Sequence, residues 1–139
     1  MRIEAKLVTI ALVLVLVACS SFTEGKKNAE IAVGLFHRQL NGEHYGDIYN
    51  RTHQKFRDTV TEQDATVLFE AVHRKLGTVK TETLAGWRVN ATTEGTFITL
   101  NYTTEFTEGK ATEVFIYLAN GENVSLVNYN INSPLLITK

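Results

Sequence analysis

Residues 61–77, TEQDATVLFEAVHRKLG, and residues 97–106, FITLNYTTEF, carry two different hydrophobic periods, and the change between them decides the fold. In the first stretch Ala65, Leu68, Phe69, Val72 and Leu76 recur at three- and four-residue spacing, the apolar stripe of an amphipathic helix. Thr61 followed three residues later by Asp64 is a capping-box-like start, and Gly77 is a stop. His73, Arg74 and Lys75 crowd the last turn, where the helix dipole favours positive charge, so they complement the dipole rather than form a binding patch. In the second stretch Ile98, Leu100, Tyr102 and Phe106 alternate with Thr99, Asn101, Thr103 and Glu105, the pattern of a half-buried antiparallel strand. Helices precede Gly77, and strands follow it.

Upstream, NAEIAVGLFHRQLNG (28–42) spaces Ile31 and Leu35, and likewise Ala32, Phe36 and Leu40, four residues apart, which predicts a helix with these residues on its apolar face. Asn41-Gly42 ends it, and EHYGDIYNR (43–51) predicts a second, short helix. Downstream, TVKTETLA (78–85) and WRVNATT (87–93) predict strands. So do TEVFIYLA (112–119), which sets Val114, Ile116 and Leu118 against Phe115 and Tyr117, and NVSLVNYNI (123–131), which sets Val127, Tyr129 and Ile131 against Ser125, Asn128 and Asn130. Glu94-Gly95, Glu108-Gly109 and Asn120-Gly121 are turn signals between them. The expectation is an α+β domain in which three N-terminal helices pack against a curved antiparallel sheet of four to five strands.

The first residues, MRIEAKLVTIALVLVLVACSS (1–21), have a different character. Arg2 and Lys6 precede an apolar run from Leu7 to Ala18. A spanning helix needs roughly 20 residues, so this shorter run fits a secretory signal. Leu16-Val17-Ala18-Cys19 resembles the bacterial lipobox. That resemblance implies cleavage before Cys19, a diacylglyceryl thioether on its sulfur and acylation of the new amino terminus. Cys19 is the only cysteine, so an exported chain has no intrachain disulfide partner for it. The expected layout is a signal peptide over 1–18, a lipidated Cys19 and short tether over 19–27, and one α+β domain over 28–139. Ser20 resembles the pattern of outer-membrane lipoproteins, which places the domain in the periplasm if the host is a diderm bacterium.

The whole chain has 14 Lys and Arg against 15 Asp and Glu; without Arg2, Lys6 and Glu4 the expected mature chain has 12 against 14, about two net negatives. A nucleic-acid partner needs a clustered basic surface and is not expected. His37, His44, His53 and His73 lack the close paired spacing of a zinc site, so no metal or cofactor is expected.

The run FHRQLNGEHYGDIYNRTHQKFRDTVT (36–61), with GTFITLNYTTEFTEGKATEVFIYLANGENVSLVNYNI (95–131), resembles the nuclear transport factor 2-like fold. More narrowly, it is similar to small bacterial lipoproteins carrying such a domain. The resemblance implies a cone of curved sheet wrapped around the first helix. A cystatin-like topology is the rival, but it usually places one helix before its strands. Enzymes of the superfamily, such as ketosteroid isomerase, place a carboxylate base in an apolar pocket. Here the strand positions expected to face the core carry no acid, with Glu113 on the side of Phe115, so no enzyme is expected. The leading expectation is a membrane-anchored, non-enzymatic accessory or inhibitor-neutralising module that binds an envelope protein. Its surface would be the exposed sheet face and the basic connector Arg51, Lys55 and Arg57. The alternative is a periplasmic small-molecule carrier or sensor, with Trp87, Tyr45, Tyr49, Tyr102, Tyr117 and Tyr129 around an apolar cavity.

Overall fold

The computed structural model describes residues 21–138 in full and only the backbone of residues 2–20; the side chains of the expected signal peptide and the expected lipidation site at Cys19 lie outside the described residues. Four helices precede the sheet: α1 (Arg2–Asn41), α2 (Tyr45–Asn50), α3 (Gln54–Arg57) and α4 (Glu62–Leu76). Four strands follow, β1 (Val79–Thr92), β2 (Gly95–Phe106), β3 (Lys110–Asn120) and β4 (Asn123–Asn132), and a final turn of helix, α5 (Pro134–Ile137), closes the chain. The sheet is an antiparallel meander in the order β1-β2-β3-β4. The architecture is therefore α+β, with one more short helix before the sheet than the periodicity predicts. α3 escapes prediction because four residues are too few to show a helical period.

α1 packs across the sheet and touches all four strands. Its buried face is Ala29, Val33, Phe36, His37 and Leu40, whereas Ile31 is 58% exposed. The expected face is thus rotated. α1 carries apolar residues on two adjoining stripes, and Ile31, Ala32 and Leu35 belong to the one the sheet does not cover. Ser21 to Lys27, expected as a tether, continues the helix. Lys26 pairs there with Glu30 at 3.2 Å, and the Asn28 amide donates to the Glu122 carbonyl at the β3–β4 turn.

α4 starts and stops as its sequence predicts. The Thr61 hydroxyl accepts from the Asp64 N–H at 3.1 Å, and Gly77 takes φ +79° to turn the chain into β1. Ala65, Phe69, Val72 and Leu76 are buried, while Leu68 lies at the edge of the stripe. The Asn41 side chain, at the end of α1, bonds both the N–H and the carbonyl of Val79 and so pins the helix to the start of β1.

β1 joins the two segments 78–85 and 87–93 into one strand, with an irregularity between Leu84 and Gly86 that resets the alternation. In β3 the expected faces are reversed: Ala111, Glu113, Phe115 and Tyr117 point inward, while Val114 and Ile116 are half-buried on the outer side. Both faces of this strand carry large apolar side chains, so alternation alone does not distinguish them. β4 has its own irregularity opposite Ile116 and Tyr117, where Val127 drops out of register and Leu126 and Tyr129 face the core. The α2–α3 connector covers the β4 edge, through a Thr52–Leu126 bridge and the His53 N–H bonded to the Leu126 carbonyl at 2.8 Å. Residues 134–138 dock beside α4, where the Lys75 ammonium donates to the carbonyls of Leu136 and Thr138.

Candidate functional site

The interior is an aromatic cluster around an ionisable one. Phe36 packs edge-on against Phe69 and Phe115 at centroid distances of 5.6 and 5.1 Å, and against Tyr129 at 4.8 Å. Beside these rings lie five polar residues, one from α1 and one from each strand: His37, Glu82 of β1, Thr104 of β2, Glu113 of β3 and Tyr129 of β4. Glu113 has no exposed surface. Its carboxylate accepts from the Tyr129 hydroxyl at 2.6 Å on one oxygen, and on the other from the Thr104 hydroxyl at 2.6 Å and His37 Nε2 at 2.8 Å. His37 Nδ1 donates to Glu82, the member of the cluster that meets solvent.

An isolated carboxylate in such a core would be costly, but every polar atom named here has a partner. Burial pushes the His37 imidazole down, yet hydrogen bonds to Glu113 and Glu82, with their charges, overcome this and raise it from 6.5 to about 9. His37 is therefore an imidazolium at neutral pH, donating from both ring nitrogens between two carboxylates. Burial, followed by the charge and hydrogen bond of Glu113, holds the Tyr129 phenol well above its ordinary range, so it stays a neutral donor. The expectation of an acid-free core is corrected by Glu113. Its place in the alternation with Ala111, Phe115 and Tyr117 was visible in the sequence, but the choice of inward face was not.

The aromatic set expected around one cavity is dispersed. Tyr45 packs by Phe69, Tyr49 donates to the Val60 carbonyl, and Tyr102 and Tyr129 fill the core beside Phe115. Trp87 is 55% exposed on β1, with the Lys26 ammonium 5.2 Å from its ring centroid. Tyr117 alone of the set lines a surface groove, an opening of about 420 Å³ between α1, the start of the α2–α3 connector and β4. Leu35, Phe36, Ile48, Val124 and Leu126 supply most of its apolar lining, Gln39, Arg51, Asn123 and Ser125 are polar members, and none of the described lining residues is acidic.

The basic connector is likewise divided. Arg57 bonds the Thr52 carbonyl and the Gln54 side chain, and Lys55 pairs with Glu94 of the β1–β2 turn at 2.8 Å. Arg51 is exposed at the groove. Among the described residues no group of His, Cys, Asp and Glu is arranged to hold a metal, and no helix is long and apolar enough to cross a membrane. In comparison with known proteins, no family model matches the chain and no curated protein shows significant similarity to it.

Proposed function

We propose that the protein is a lipid-anchored envelope lipoprotein whose domain is a non-enzymatic accessory that docks a partner protein in the groove at Arg51. The observation that carries this reading is the uncovered apolar stripe of α1, with Ile31 exposed and Leu35 leading into a groove in which Arg51 is the one cation among the described lining residues. A partner segment with apolar residues and a carboxylate is complementary to it. The ionisable cluster supports a non-catalytic role, because Glu113 is fully committed to its three donors and sealed behind aromatic rings. The Leu16-Val17-Ala18-Cys19 motif supports the anchor. The further helices α2, α3 and α4, which lie between α1 and the sheet in chain order, support the nuclear transport factor 2-like cone over a cystatin-like topology, which usually places one helix before its strands.

The carrier alternative needs an apolar cavity lined by tyrosines; of these Tyr117 borders the groove, whereas Tyr45, Tyr102 and Tyr129 pack in the core. The experiment replaces Leu35 with a photo-crosslinking amino acid in the native host, with Thr99 on the outer sheet face as a control. The docking reading expects one protein adduct from position 35 that Arg51→Glu abolishes. A groove that yields no protein adduct while the purified protein retains a small molecule would reverse the two readings.

A further inference from the structure

Phe22 is 42% exposed and Trp87 55% exposed, in a domain whose other aromatic side chains are largely buried. Phe22 and Lys26 lie one turn apart on the same face of α1, and the Lys26 ammonium reaches over the Trp87 ring. Lys26 therefore lies between two exposed rings, one turn from Phe22 along α1 and over the face of Trp87. This patch sits where α1 enters the domain, beside the β3–β4 turn, whose Gly121 and Glu122 share a depression with Phe22.

We propose that this patch lies in the bilayer surface, with the Phe22 ring and the Trp87 indole among the lipid headgroups and Lys26 at the water boundary. The proposal rests on the lipid anchor at Cys19. Phe22 follows Cys19 by three residues, so the chain holds it within about 11 Å of the anchored sulfur's backbone, and Lys26 within about 25 Å, even if fully extended. The headgroup zone of one leaflet is roughly 5–8 Å thick, the amphipathic indole of Trp prefers it to either water or hydrocarbon, and a Phe ring adds apolar area at the acyl boundary. A patch this close to the anchor meets the membrane whenever the domain tilts toward it. The nearby charges nearly cancel: Lys26 pairs with Glu30, and Lys27 is offset by Glu24 and Glu122 in the same region. The contact is thus apolar and interfacial, needs no anionic lipid, and survives high salt.

Trp87 is the only tryptophan in the chain, so its fluorescence reports on this patch alone. The full lipidated protein, purified from membranes, is reconstituted into phosphatidylcholine vesicles with plain or bromine-labelled acyl chains. The expected result is a blue-shifted emission, with strong loss of intensity when bromine sits near the headgroup and a smaller loss when it sits at the chain ends. Phe22→Ser is expected to weaken the quenching, and high salt to leave it unchanged. Protein that floats with the vesicles but shows equal emission in plain and brominated lipid overturns the patch while leaving the anchor intact. Protein that does not float with the vesicles overturns the anchor and the patch together.

Discussion

His37 holds its proton because two carboxylates flank it, and the folded protein therefore gains stability from keeping it charged. Its value is raised from 6.5 to about 9, so this contribution is fully present below about pH 6.5 and is lost as pH rises through about 9. A shift of this size corresponds to roughly 3 kcal/mol of stability. Urea unfolding followed by circular dichroism is expected to show that loss on the alkaline side; a midpoint independent of pH between neutrality and pH 9 would contradict the imidazolium. Glu113→Gln keeps the shape but removes the charge that His37, Thr104 and Tyr129 all address. It is expected to cost about 3 kcal/mol, as for a broken buried pair, and to flatten the alkaline slope. In the sequence these residues stand far apart, and His37 looks like an isolated histidine following a core phenylalanine. Its partners are legible only after the strands are in register.

The helical elements carry their boundaries in single residues, which makes them directly testable. Thr61→Ala removes the acceptor for the Asp64 N–H and is expected to cost about 1 kcal/mol. Gly77 and Gly121 both have positive φ, at +79° and +65°, but their surroundings differ. A Cβ at Gly121 would meet nothing within 4 Å, so Gly121→Ala is expected to cost only the left-handed backbone term, about 1–2 kcal/mol. A Cβ at Gly77 would fall 1.8 Å from the Thr107 hydroxyl, which itself accepts from the Thr78 N–H. Thermal unfolding of the two variants is expected to show the larger loss for Gly77→Ala; equal losses would mean that the Thr107 contact relaxes freely. At this scale the α4 caps and the hairpin turns were legible because each depends on neighbours in the chain. The inward face of β3 was not, because Val114 and Ile116 compete with Phe115 and Tyr117 on near-equal apolar terms.

For the molecule as a whole, the surface separates into the end where α1 enters the domain, with Phe22, Lys26 and Trp87, and a lateral groove at Arg51. On the lipid-anchor proposal, Cys19→Ser is expected to abolish incorporation of labelled fatty acid into the protein without changing its unfolding midpoint, as measured by metabolic labelling and thermal melts. The exposed Lys55–Glu94 pair joins the α2–α3 region to the β1–β2 turn, yet its double replacement by Ala is expected to change stability by less than about 1 kcal/mol. Local pattern determined the order of helices and strands, the turn at Gly77 and the hairpin glycines, because short-range sterics and alternation act along the chain. Tertiary structure alone decided which α1 stripe is buried and which β3 face points inward. It also brought one polar residue from each strand around His37. Those choices depend on strand register and on the competition between two apolar faces for one core, and neither is a property of a local segment.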